Sequence, residues 1–382
     1  GVSSGVGGGT AAAVSSTGAY RMSRYSSSAS ASTSAASSFS NNPNNTQVDR
    51  RPLIIEFGST IIRAGHADQF QPQHLIPLSK PLFEDDSNDS NINSNNNNNN
   101  MTESEWYIKL SPIVHEIFER LMVKPSSRYV MCVTQSFVVS TNFTRALKQH
   151  FWNLNVPAMV VLNSLEVGPS TRAVFGLSRS LMVQIHRRET ICGCYADGYV
   201  LPFTYQSIPI GYQHLLAVTN KDGDEDSKTE LFLDRMLTDN TNPNSILTAM
   251  LLCLQECPLD ARSYAVSNIM FSGEGVTLLP DIPRRVTKYL QQLLLQQGSS
   301  TTTDKAETTS STPSSEDPQQ QLLSMVPIDY KSLQPLGERV GLVSCAPYRP
   351  DVVCWVGASL YATTWMKYDD HDESPIPWIY HP

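Results

Sequence analysis

Two short apolar hairpins, at residues 53–65 and 181–196, each stand ahead of alternating helical and strand patterns. That repetition is the strongest constraint on the fold. A chain that opens the same way twice predicts two α/β halves facing each other across a cleft. In the first half, Leu53 to Phe57 reads as a strand, and Thr60 to Ala64 as its partner, ending at Gly65. Trp106, Leu110, Ile113, Ile117, Phe118 and Leu121 recur at helical spacing and predict a helix over 106–122. Strands at 129–133 and 158–162 flank a helix at 142–152. In the second half the hairpin pairs Leu181–Ile185 with Ile191–Tyr195, and a third strand runs from Tyr199 to Phe203. An apolar helix at 245–255, a strand at 269–271 and a helix at 283–297 follow. Pro283 at the start of that last helix suits its first turn. A turn into a Gly- and Ala-containing helix at 352–362 closes the pattern.

Three polar tracts interrupt this order: residues 1–50, 84–105 and 298–321. The first is rich in Ser, Ala and Gly, the second contains six consecutive asparagines (Asn95 to Asn100), and the third is Ser, Thr, Pro and Gln. None carries enough apolar surface to offset the entropy of ordering it, so all three are expected to be disordered. The net charge of −8 argues against a nucleic-acid partner, which selects a basic face. No apolar run approaches the roughly 20 residues that span a bilayer. The seven cysteines are odd in number, contain no CxxC pair and sit mostly in apolar segments. They read as buried free thiols of a reducing compartment.

The second hairpin has an unusual tip. Between its apolar strands lie His186, Arg187, Arg188 and Glu189, where a tight turn favours Gly, Asn or Asp. On composition alone the expectation is a solvated loop tip. Other constellations are weak. "HEIFE" (115–119) lacks the second His of a zinc-protease motif and reads as the solvated face of its helix. Cys192 and Cys194 lie two apart on a strand and share a face, which favours core packing over zinc, since no further ligands are evident. "KDGDEDSKTE" (221–230) misplaces the glycine of a calcium loop and lacks its closing glutamate.

Four segments carry a resemblance. "IIEFGSTIIRAGHAD" (54–68) looks like the first phosphate-binding hairpin of the actin family, with Gly58, Ser59, Ala64 and Gly65 in place. "NVPAMVVLNS" (155–164) is similar to the segment leading to the residue that orients the hydrolytic water. "CPLDARSYAVSNIMFSGEGVTLLP" (257–280) resembles the adenosine loop, and "CWVGASLYA" (354–362) the W-[IV]-G-G-S-[IL] connector. The four are collinear and frame residues 53 to about 366. The resemblance implies an actin-like two-lobed α/β fold with reduced pointed-end subdomains. The first lobe would span 51–163 and the second 164–345, with 346–382 returning to the first.

The resemblance also makes the odd tip interpretable. Counted back from "YADGYVLP" (195–202), residues 184–190 occupy the second phosphate loop, where actin has D-S-G-D-G-V-T and this chain has Q-I-H-R-R-E-T. The metal-shell aspartates and the phosphate-approaching glycines are gone. Glu56 replaces the first loop's aspartate, Thr60 its second glycine, and Ser164 the water-orienting glutamine. Glu274 splits the paired glycines of the adenosine loop into Gly273 and Gly275. Glu56, Gly58, Ser59, Thr60, Gly273 and Gly275 are therefore the expected vestigial nucleotide cleft. Hydrolysis is expected to be lost, with no cofactor assigned and no metal. ATP or ADP held weakly is one alternative, with Arg187 and Arg188 pairing directly with phosphate as a way to do so.

Little sequence remains for actin's pointed-end subdomains, at Pro77 to Trp106 and at Gly211 to Asn244. A subunit that keeps one docking face and loses the other terminates a filament, because open head-to-tail growth needs both. Within the family this pattern is most like the pointed-end actin-related subunit of dynactin. That likeness implies contact with dynactin's actin-like filament subunit and other pointed-end subunits, a cytoplasmic, cytoskeletal location, a part in dynein-driven microtubule transport, and no homopolymer. A subunit of a nuclear chromatin-remodelling complex is the alternative.

Overall fold

Leu53–Phe57 (β1) pairs on both sides, and the first of two mixed sheets is built around it. The computed structural model describes residues 51–83, 101–135, 139–219, 233–296, 328–365 and 378–381. The tail at 1–50, residues 84–100 of the asparagine insert, the calcium-loop mimic and the tract at 298–321 lie outside them. Ile61–His66 (β2) and His74–Pro77 (β3) continue from β1 as an antiparallel meander. Val130–Thr134 (β4) runs parallel to β1, and Ala158–Asn163 (β5) parallel to β4. In the second sheet Arg179–Ile185 (β6) takes the place of β1 and Thr190–Ala196 (β7) that of β2. Tyr199–Val200 (β8) and Gln206–Ile208 (β9) both pair antiparallel with β7. Ile269–Ser272 (β10) runs parallel to β6, and Leu342–Val343 (β11) parallel to β10. Strand order and sense therefore repeat: an antiparallel meander on one side of the opening strand, two parallel strands on the other. Ile379–Tyr380 (β12) is an addition, antiparallel at the outer edge of β5.

Both faces of the first sheet are covered, which is why β1 and β4 are buried at every position. Leu53, Ile55 and Phe57 pack under helices Glu103–Leu121 (α1) and Thr141–Asn153 (α2), with Trp106, Leu110 and Phe143 filling the layer. Each such fully buried side chain contributes about 1.5–3 kcal/mol. On the opposite face Ile54 packs with Trp355, Val356 and Ala358 of the helix Val353–Trp365, which crosses Gly168–Ala173 (α3). The second sheet is covered by Ile246–Glu256 (α4), Leu259–Ser267 (α5) and Ile282–Gln296 (α6), with Val183, Cys194, Met250, Leu254 and Val286 in the layer.

Three expectations need correction. Residues 103–105, counted with the disordered insert, are helical. Thr102 accepts from the Glu105 N–H while the Glu105 carboxylate accepts from the Thr102 N–H at 2.7 Å, a reciprocal cap that starts α1 three residues early. The strand expected over 199–203 stops at Val200. Pro202 has no N–H for the ladder, so Pro202–Thr204 turns as a 3-10 helix and β9 resumes pairing. The tip of the β6–β7 hairpin is not a solvated loop end: His186 is 5% exposed, Arg187 is half-buried, and of the arginines only Arg188 is exposed. The turn closes through the His186 N–H on the Glu189 carbonyl, 2.9 Å. The start of the next helix caps it, Tyr212 and Gln213 donating their N–H groups to the carbonyls of His186 and Arg187.

Candidate functional site

The β1–β2 register puts Glu56 opposite Arg63, and alternation along β1 turns Glu56 away from the Leu53/Ile55/Phe57 face. Both side chains are buried, at 1% and 0% exposure. An isolated guanidinium there would be prohibitive, so its partners decide whether the arrangement is tolerable. Arg63 Nη1 lies 3.3 Å from Glu56 Oε1; Nη2 lies 3.4 Å from Glu274 Oε1 and 3.1 Å from Asp351 Oδ2. One cation of the first sheet thus meets a carboxylate of its own hairpin and two from segments that follow β10.

Each acid has further donors. Gln135, just past β4, donates to Glu56 Oε1 at 2.9 Å. Glu274 Oε2 accepts from the Tyr212 hydroxyl at 3.1 Å and from Thr60 Oγ1 at 3.4 Å. Asp351 accepts from Thr277 Oγ1 at 3.2 Å and from the Arg349 guanidinium at 3.0 Å through both oxygens. Burial raises the Glu56 carboxyl above the ordinary carboxylate range, against the opposing pull of Arg63 and the Gln135 amide. Burial works against the Arg63 charge, but the three carboxylates outweigh it and hold its pKa above the ordinary value.

The glycines explain how the two hairpin systems come this close. A Cβ on Gly58 would lie 3.0 Å from Glu274 Oε1 and 3.3 Å from Arg63 Nη1. Gly273 has φ +99°, and a Cβ there would stand 2.6 Å from the Ile185 carbonyl oxygen. The β10 glycine loop therefore abuts the end of β6 directly. His186 follows, and neither ring nitrogen has a hydrogen-bond partner. Burial, assisted by the nearby Arg63 charge, lowers its pKa to about 4, so the imidazole is neutral at neutral pH.

Of the residues expected at the cleft, Glu56, Gly58, Thr60, Gly273 and Gly275 are brought together around Glu274, Arg63 and Ile185. Ser59 contributes only its carbonyl, to the Leu82 N–H at 2.8 Å. Ser164 is buried and donates to Gln184 Oε1 at 2.6 Å, tying that amide to the first sheet's side of the site. Arg187 and Arg188 are directed at protein: Arg187 hydrogen-bonds the Tyr212 hydroxyl, and Arg188 Nη1 donates to the Phe83 carbonyl at 3.3 Å. Arg63, Gln135, Tyr212 and Asp351 were not singled out by sequence reasoning. The β1–β2 register was the one signal available, since it sets Arg63 across from Glu56; the others arrive from far along the chain.

Chemically the arrangement is a buried charge cluster. Glu274 and Asp351 are engaged by arginines and hydroxyls, while Glu56 Oε2 and Arg63 Nε are buried with no hydrogen-bond partner among the described residues. Among the described residues no group of three His, Cys, Asp or Glu side chains is placed to hold a metal ion. An open groove of about 670 Å³ runs along α1, lined by Leu78, Lys80, Ile108, Lys109 and Pro112 among others, and includes none of the cluster. Nor is any described helix long and apolar enough to cross a membrane. No protein-family model matches the chain, and no curated protein matches it.

Proposed function

We propose that this chain is a non-catalytic, actin-like structural subunit that caps the pointed end of dynactin's actin-like filament. The observation that carries the reading is the repeated strand order, with the first opening hairpin meeting the segments that follow β10 at Arg63. In a two-lobed fold of this kind the meeting point is where phosphates would lie. Here Arg63 is engaged by Glu56, Glu274 and Asp351, and the glycine loop rests on Ile185. A subunit arranged this way holds its halves together without nucleotide and performs no hydrolysis.

Docking is supported by exposed apolar side chains on β8, the turn after it and α5. Tyr199 and Phe203 are 76% and 83% exposed, and Leu259 and Tyr264 76% and 56%. Arg179 joins the two pairs, its guanidinium 5.3 Å from the Tyr264 ring centre and ion-paired with Asp197 and Asp260. Exposed aromatic and apolar side chains around a cation of this kind suit a protein-binding surface.

The test is a pointed-end elongation assay on dynactin's actin-like filament, with this chain substoichiometric to filament subunits, alongside affinity purification from cells. Arrest of elongation and recovery of dynactin subunits are expected. Continued elongation by a folded chain, sedimentable homopolymers of the chain itself, or recovery of chromatin-remodelling ATPases instead would overturn the proposal.

A further inference from the structure

The groove of about 670 Å³ beside α1 has an apolar floor and a charged rim. Glu105, Ile108, Lys109, Pro112 and Glu116 stand at i, i+3, i+4, i+7 and i+11, so one stripe of α1 forms a wall over about three turns. The chain that follows β3, from Pro77 to Lys80 with Leu82, forms the other wall. Leu78, Met101 and Ile113 line the space between them and are half-buried, packed against the core of the first sheet. Ile108 stands at the rim, 73% exposed. Pro112 lies inside α1 and has no N–H, so the Ile108 carbonyl four residues back lacks its helical donor. One wall therefore offers exposed apolar groups together with a backbone acceptor that an incoming N–H or O–H can satisfy.

The rim charges set the sign of what fits. Glu105 is engaged by its own helix cap, accepting from the Thr102 N–H at 2.7 Å and from the Thr102 hydroxyl at 2.9 Å. Glu116 is paired with Arg120, one turn on, at 2.7 Å. Both carboxylates are thus bonded within α1 and its cap. Lys80 and Lys109 bring positive charge to the two opposite walls, with the Lys109 ammonium 5.4 Å from the Trp106 ring centre. A segment entering between those lysines gains from carboxylates of its own and loses from cations.

We propose that this groove docks an acidic segment of a partner protein, anchored by large apolar side chains. The anchors cover Leu78, Met101 and Ile113 and take Ile108 out of water, which supplies most of the affinity. Carboxylates beside the anchors face Lys80 and Lys109, and one donor of the segment reaches the Ile108 carbonyl. The groove shares no residue with the Arg63 cluster or with the exposed side chains around Arg179, so the proposal does not rest on the capping reading.

The test selects a phage-displayed library of random dodecapeptides on the full chain and measures the recovered peptides by fluorescence anisotropy. Binders are expected to be net acidic and to carry several large apolar residues. Ile108→Ser should weaken them about tenfold. Lys109→Glu should weaken them about threefold and flatten the salt dependence. Met122→Ser, at a residue 92% exposed and outside the groove, should leave affinity unchanged. Recovery of no binder, a basic consensus, or binders indifferent to Ile108→Ser would overturn the proposal. Equal loss on Met122→Ser would do so too, since it marks unspecific apolar capture. Melting curves check that each variant folds, and Lys109→Glu decides if Ile108→Ser does not.

Discussion

Replacing Arg63 by Met keeps the aliphatic stem and removes the guanidinium that Glu56, Glu274 and Asp351 share. Glu274 keeps Tyr212 and Thr60, and Asp351 keeps Arg349 and Thr277, so neither is abandoned. Glu56 is left with Gln135 alone, at 1% exposure. Removing one partner of a buried ion pair costs about 3–5 kcal/mol, because the remaining charge is uncompensated. At roughly 2 °C per kcal/mol for a large domain, melting should fall by about 6–10 °C. The sign of the pH dependence follows from Glu56. Its folded-state pKa is already raised by burial, so the folded state binds its proton more tightly than the unfolded chain does. Stability from this group is therefore present below the unfolded value near 4.5 and is lost as pH rises through the folded value. Without Arg63 the folded value climbs further and the window widens upward. The Arg63→Met deficit should shrink as pH falls from 7.5 towards 5. Calorimetry of both chains at several pH values measures this, with Arg63→Met/Glu56→Gln as the control that removes the uncompensated charge and regains part of the loss. A variant that melts within a degree of wild type at pH 7.5, or a deficit constant across pH, would refute the reasoning.

Two further outcomes are expected. Magnesium-ATP should leave the melting temperature unchanged and be hydrolysed no faster than in buffer, since Arg63 is already occupied; magnesium-dependent turnover that disappears in Glu56→Gln would contradict this. Thr102→Ala should cost about 1 kcal/mol by removing the cap of α1, read as a shift in the urea midpoint; no shift would mean that tertiary packing alone starts the helix there.

Local patterning determined the secondary structure to within a few residues where a core face repeats. The helix expected at 245–255 is observed at Ile246–Glu256, and the strand expected at 269–271 at Ile269–Ser272. Boundaries were missed where a cap or a proline outweighed the apolar period, at Thr102 and Pro202. Short elements such as β3, α3 and β11 carry too few periodic residues to be read without their neighbours. The charge cluster was half legible: its glycines mark close backbone approach, and Glu56 lies in the first hairpin. Its partners were not legible. Arg63 reaches Glu274 across 211 positions and Asp351 across 288, and Cys194 meets the Cys253 carbonyl across 59. A side chain's periodicity tells which way it faces within its own element, inward or outward. Which charge or thiol stands opposite depends on how separate elements pack, and that was decided only when the two sheets and their helices came together.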